Sequence, residues 1–408
     1  MVVNGKSAAA FGIVSGLVGV VLAAGQTGSA GAASSARDAP AGPERQRVSS
    51  SKLEPVRVRT PVAPSRYSVP RRGLRVSSSR QLAAALTDGR AETIVLAPGR
   101  YDNSRPFFDR DGDRIYASAL GKAVLRAGIV LGANEGPPGA AIRGVRFSVA
   151  DTAKTFQGAI VHVWGSAKHA AVLDTWLEGN GIVDAGLVVR QPEGFVARRV
   201  VASSFRSYGV LVDPNRDDYR ARAPYVLTDL NVSRVTRRVP GSSDGTAEAC
   251  LWLGSTGSVR RVIARRCGVS GIWTGTANRG SSVEDALVDR TRVGVYIEHF
   301  TTGTTFRRLR IGPNVAKGVN AEWANQARGG KPASVDNVIE DCYFDTTIVG
   351  VYLDQGTTRT SVRRCKFAAQ TRAAIGDYKG IGNRFDDNDF RGIAGGAVPI
   401  SYEYGGRR

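Results

Sequence analysis

One short phrase returns along this chain and fixes what it can fold into. It reads "GLVVR" from Gly186, "GVLVD" from Gly209, "CLWLG" from Cys250, "GIWTG" from Gly271, "GVYIE" from Gly294, "GVNAE" from Gly318 and "GVYLD" from Gly350. Five of the six intervals are 21 to 32 residues long. Each copy is a small residue followed by apolar side chains at the second and fourth positions, the two-residue period of a strand. An earlier copy is read at "GAIVH" from Gly158 and a later one near "AAIGD" from Ala373. A unit this short cannot bury its apolar face alone, so successive copies must stack. With 49 glycines in 408 residues and few helical patterns, the chain reads as all-β with many short strands.

A second column follows the first: an apolar residue, two polar ones, then an apolar or small one. Its middle pairs, read from "IRGV" at Ile142 to "FDDN" at Phe385, run RG, DT, RR, TD, RR, ED, RR, ED, RR, DD. The sign of the charge alternates throughout. In a solenoid of about ten coils, neighbouring rungs lie about 4.8 Å apart. Opposite charges on adjacent rungs then attract, and a slip by one rung sets like on like. The interleaved acids argue against a nucleic-acid stripe.

The periodicity resembles the right-handed parallel β-helix of the pectin-lyase-like superfamily. "SSSRQLAAALTDGRAETIVLAPGRYD" (77–102) is similar to that superfamily's opening, an amphipathic capping helix followed by a first strand, and "LRAGIVLGANEG" (125–136) to its next coil. The resemblance implies an all-β, single-stranded parallel β-helix over residues 73–408. For activity it implies only a range: lyases, glycosidases, epimerases and phage tailspikes.

Residues 8–25 are apolar and Gly-rich, Lys6 precedes them, and Ala30, Gly31 and Ala32 offer a cleavage site. Residues 1–32 are read as a signal peptide or N-terminal anchor, which puts the body outside the cytoplasm. Residues 33–72 read as a disordered basic linker, suited to cell-wall polymers or a membrane surface. The whole chain carries a formal net charge of +20. Four cysteines in an exported chain allow two disulfides. Cys342 and Cys365 share an inward column on neighbouring rungs and are read as one pair, leaving Cys250 and Cys267.

In the first-column strands, positions three and five point outward. Position three reads Ile160, Val188, Leu211, Trp252, Trp273, Tyr296, Asn320 and Tyr352. Position five reads His162, Arg190, Asp213, Gly254, Gly275, Glu298, Glu322 and Asp354, then Asp377 or Tyr378. Trp252, Trp273 and Tyr296 would form an exposed aromatic strip with Tyr352 beyond it, and Gly254 and Gly275 would leave space beside the tryptophans. Glu298, Glu322 and Asp354 would stack on three consecutive rungs, where like charges need a cation, a shared proton or an arginine. His299 and Trp323 follow the acids directly. Enlarged turns after Asp213 and Glu322 bring basic residues, Arg328 among them, to the rim.

An aromatic floor, acids and basic walls suit a polysaccharide, including an acidic one. Two mechanisms fit. Paired carboxylates serve a glycoside hydrolase. Alternatively Glu298, Glu322 and Asp354 hold Ca²⁺ in a lyase, as resemblance to pectate lyases implies. A non-catalytic glycan-binding module is the rival reading, because a platform needs only the aromatics. "YGVLVDPN" (208–215) is loosely similar to an element of uronan C5-epimerases, but Asn215 stands where that element has a histidine. "DRDGDR" (109–114) has the acid spacing of a calcium loop but ends on Leu120 where a glutamate is needed.

Overall fold

The computed structural model describes residues 57–133, 138–164, 167–190, 193–213, 224–236, 248–275, 278–298, 301–321 and 334–402. Short strands pair almost entirely in parallel and form three sheets of nineteen, twelve and three strands. The twelve-stranded sheet holds the first-column phrases, stacked one per coil from Phe107–Asp109 to Val398–Ser401. Beyond the nine first-column copies read from the sequence it holds three further strands, Phe107–Asp109 and Ile129–Leu131 ahead of them and Val398–Ser401 after them. In the nineteen-stranded sheet each coil supplies two segments joined at a bend, as in the continuous strand Phe195–Phe205.

The core runs the length of the solenoid. Val161, Leu187, Val210, Leu251, Ile272, Val295, Val319 and Val351 lie in one register on the twelve-stranded sheet, all fully buried. Each is worth roughly 1.5–3 kcal/mol of burial. A helix at Ser79–Ala85 adds Leu82 and Ala85, with Leu86 just beyond, to the same core. Its N-cap is Ser78, whose side chain accepts the Gln81 N–H.

The charge ladder occupies the bend. Asp174, Arg199, Asp229, Arg261, Asp285, Arg308, Asp341, Arg364 and Asp387 all have φ between 50° and 60° and stand on successive coils. Each arginine grips the acid one coil back: Arg199 on Asp174, Arg261 on Asp229 at 2.6 Å, Arg308 on Asp285 at 2.8 Å and Arg364 on Asp341 at 2.7 Å. One rung needs correcting. Leu173 pairs with Arg143 and Arg198, so the pair on that coil is Leu173–Asp174, not Asp174–Thr175. The alternation is thereby complete in the second position of every pair from Asp174 onward.

Residues 57–70, expected to lie within a structureless linker, run as a strap along this bend. The backbone N–H groups of Arg59, Val62 and Ser65 reach Asp285, Asp229 and Asp174, at 3.5, 3.0 and 3.2 Å. The donors step by three residues and the acceptors by two coils. A polyproline II chain advances about 9.3 Å in three residues, and two rungs span about 9.6 Å. Pro61 and Pro64, which have no N–H to give, immediately precede two of the donors. The strap ends with the Tyr67 hydroxyl donating to the carbonyls of Ala117 and Arg143, under the Arg143 guanidinium, 4.4 Å from the ring centroid. Gly144 lies there with φ +75°, and a Cβ on it would stand 2.1 Å from the Tyr67 hydroxyl oxygen. Both the backbone conformation and the space require glycine at that rung.

The cysteines pair differently from the sequence expectation. Cys250 and Cys267 form the disulfide, with Cα atoms 5.4 Å apart, while Cys342 and Cys365 are buried free thiols. Cys250 is on the twelve-stranded sheet and Cys267 ends a strand of the nineteen-stranded one, so their side chains meet across the interior of the coil. Cys342 and Cys365 stand at matching positions on neighbouring coils, and both thiols are fully buried.

Candidate functional site

The outward column of the twelve-stranded sheet is shifted at its start from the sequence reading. His162, not Ile160, aligns with Val188, and Ile160 is fully buried. From there Val188, Leu211, Trp252, Trp273, Tyr296, Asn320 and Tyr352 follow in register. At the far end Leu353 pairs with Asp377, so Asp377 points inward and Tyr378 outward. Burial pushes the Asp377 carboxyl up, against a hydrogen bond from Asn383 that pulls it down.

The strip is packed more tightly than an open groove. The rings of Trp273 and Tyr296 lie 4.5 Å apart at 50°. Trp252 and Trp273 are half-buried and Tyr296 is nearly buried. Gly275 does not leave space beside the tryptophans: a Cβ there would be 2.4 Å from Trp252 Cζ2, so the indole already fills that place. Further along, Lys317 Nζ lies 4.7 Å over the Tyr352 ring and 3.5 Å from Asn320 Oδ1.

Glu298 sits beside the aromatic pair and accepts the Trp273 indole N–H at 3.1 Å. Asp354 is half-buried two coils on, its Oδ1 accepting the Gln355 N–H at 2.7 Å. The strand spacing puts these two acids roughly 10 Å apart along the axis. Glu322, between them by position, lies outside the described residues, as do His299, Trp323 and Arg328. Among the described residues no three His, Cys, Asp or Glu side chains gather as a metal-ligand set. Asp213, expected at the substrate rim, is ion-paired with Arg190 on the adjacent strand.

Sequence reasoning misplaced one group on this face. His162 is buried against Phe156 at 5.0 Å and Trp164 at 5.3 Å, with no hydrogen-bond partner on either ring nitrogen among the described residues. Burial, with Arg190 nearby, drives its pKa down to about 3, so the ring is neutral. The signal available was the apolar spacing: Val161 and Val163 match Leu187 and Val189, which puts His162 in the outward column.

No protein-family model and no curated protein sequence matches this chain. Solved structures do. A PL6 alginate lyase in complex with a trisaccharide aligns with a TM-score of 0.53 at 10% identity, over 82% of this chain and 89% of that one. The Agl-KA catalytic domain aligns at 0.48 and 10%, over 84% and 70%. The PL6 alginate lyase AlyGC aligns at 0.45 and 11%, over 80% of this chain, which spans about half (51%) of that one. The fold is a parallel β-helix. At these identities the likeness carries the fold alone, and activity must be argued from the strip itself. Among the described residues no helix is long and apolar enough to cross a membrane.

Proposed function

We propose that this parallel β-helix protein is exported and acts on a polysaccharide laid along the outward strip of the twelve-stranded sheet. The observation that supports this most is the Trp273–Tyr296–Glu298 group: two rings in contact and a carboxylate held at their edge by the indole N–H. Aromatic faces take the apolar faces of sugars, and a carboxylate fixed beside them can accept or deliver a proton at a glycosidic bond or a uronate C5. Lys317 and Tyr352, both half-buried, extend the strip by two coils, with the buried Asn320 between them.

Two chemistries remain within this reading. As a hydrolase, Glu298 would work with Asp354 or Glu322 as the second carboxyl. As a lyase, Glu298, Glu322 and Asp354 would hold Ca²⁺, which would neutralise a uronate carboxylate and acidify the neighbouring C–H. A non-catalytic glycan-binding module is the second reading, favoured by the same indole bond, which gives Glu298 a structural task. Product analysis on uronans and neutral glycans decides. A lyase leaves an unsaturated chromophore, a hydrolase leaves new reducing ends without it, and a binding module leaves neither while still retaining glycan. Glu298→Gln, which keeps an acceptor for Trp273, should abolish product formation with the fold intact. Full activity in that variant would put the chemistry elsewhere.

A further inference from the structure

The solenoid has a second corner, where each coil leaves the nineteen-stranded sheet for the next strand of the twelve-stranded one. Ser204, Arg234, Arg266 and Arg290 hold it on four successive coils, with φ of 65°, 57°, 56° and 55°. The first corner alternates acid and base on every rung; this one stacks three arginines in a row. Arg234, Arg266 and Arg290 are all exposed, as is Arg265 beside them. Among the described residues Arg234, Arg265 and Arg266 pair with no carboxylate, and Arg290 has only Asp289 at 3.7 Å.

Like charges at rung spacing repel. The sequence could relieve this at no structural cost, since glycine or asparagine takes a positive φ more easily than arginine does. At the first corner each positive-φ arginine, Arg199, Arg261, Arg308 and Arg364, has a positive-φ acid one coil back; none of the positive-φ arginines here does. The position of the stack is equally telling. Arg266 leads into the strand that carries Trp273 and Arg290 into the one that carries Tyr296, while Arg234 lies on the coil below, next in register. A line of guanidinium groups therefore runs beside the aromatic strip, around one corner, over the same coils.

We propose that this corner is a binding stripe for a linear carboxylated polysaccharide, engaged outside the aromatic strip and alongside it. The proposal rests on the reading that the protein engages polysaccharide, and it adds the charge class of that polymer and a site for it. Guanidinium groups take carboxylates two-pronged, and a polymer with one carboxylate per sugar can meet one arginine after another along the axis. Single-stranded nucleic acid is the competing ligand class, because it stacks its bases on rings beside a cationic line, and the test separates the two.

The test is binding of the full chain to polygalacturonate, to a neutral galactan, to inorganic polyphosphate and to a single-stranded oligonucleotide across a range of salt. In the Arg234→Gln, Arg266→Gln, Arg290→Gln triple variant, polygalacturonate affinity should fall roughly tenfold or more, and the salt dependence should lose about two counterions. Galactan retention and the melting curve should not change. Arg359→Gln, in which an equally exposed arginine loses its Asp336 partner, should bind as wild type does. If wild type retains none of the glycans, the polysaccharide reading itself falls. If wild type binds polygalacturonate and the triple variant binds it equally, that reading stands and the stripe is refuted. If polyphosphate or oligonucleotide binds more tightly than polygalacturonate through the same three arginines, the ligand class is wrong.

Discussion

The indole of Trp252 occupies the volume that a side chain at Gly275, one coil further on, would need. The glycine therefore sets the ring's position as much as the ring's own packing does. Gly275→Ala should push the indole off its seat and weaken glycan retention by about as much as Trp252→Ala, roughly 1–3 kcal/mol. Because both changes act through one ring, the double variant should cost little more than either single. Affinity electrophoresis on a polysaccharide panel gives the comparison. Additive losses would mean that the two positions act separately.

The first-corner ladder should respond according to burial. Asp229 is buried and serves both Arg261 and the Val62 N–H. Asp229→Ala strands both donors and should cost roughly 2–4 kcal/mol. Arg307, exposed and shared between Asp341 at 3.0 Å and Glu340 at 3.6 Å, should lose no more than about 1 kcal/mol on truncation to alanine. Glu284→Arg would stand in register between Arg260 and Arg307 and should destabilise more than Glu284→Ala. Urea midpoints rank the four variants.

Acid should loosen the same ladder. Burial works against ionisation of Asp174, Asp229 and Asp285, but hydrogen bonds from Arg199, Arg261 and Arg308 outweigh it and hold all three carboxyls below their usual range. Their contribution is complete above an unfolded-chain value near pH 4 and is lost as the pH falls through the lower folded values. Stability measured from pH 6 down to pH 2 should fall below about pH 4, less steeply in Asp229→Asn. A flat profile would show that the ladder is too solvated to matter.

Asp113 should behave in the opposite sense. Burial pushes its carboxyl up to about 7, opposed by the Glu92 N–H and reinforced by Asp109 and Asp111. The folded chain holds that proton more tightly than the unfolded one, so stability falls as the pH rises from about 4 through 7. Asp113→Asn keeps an acceptor for Glu92 and should exceed wild type by roughly 1 kcal/mol at pH 8, with little difference at pH 4. Thermal melts at the two pH values read it directly.

The sequence disclosed what depends on strict periodicity and concealed what depends on direction or on distant partners. The strand phrases and the RR/ED alternation repeat once per coil, so stacking was legible in them. The start of the outward column was not. Gly158 resembles Gly186, but the coil puts the buried Ile160 opposite that glycine and so moves His162 by two positions. Cys342 and Cys365 share a column, which the sequence revealed; that Cys250 closes onto Cys267 instead depends on how the two sheets approach within a coil, which it did not. Glu298 was legible as an outward acid; its bond to Trp273 was not, because it depends on how the indole leans between rungs. The strap carried a signal in Thr60-Pro61-Val62 and Ala63-Pro64-Ser65, a three-residue beat that means little until it is set against a two-coil beat more than 100 residues away.

That beat has a consequence for the order of events in the life of the chain. Arg59 is made before any coil exists, yet its partner Asp285 comes 226 residues later in synthesis. Ser65 can dock once the Asp174 coil has formed, Val62 only after the Asp229 coil, and Arg59 only after the Asp285 coil. The earliest part of the solenoid segment to be synthesised is thus the last to close, from its C-terminal end backward. Each step can be taken only when two more coils have been laid down, so the strap keeps a tally of the coils as they are completed.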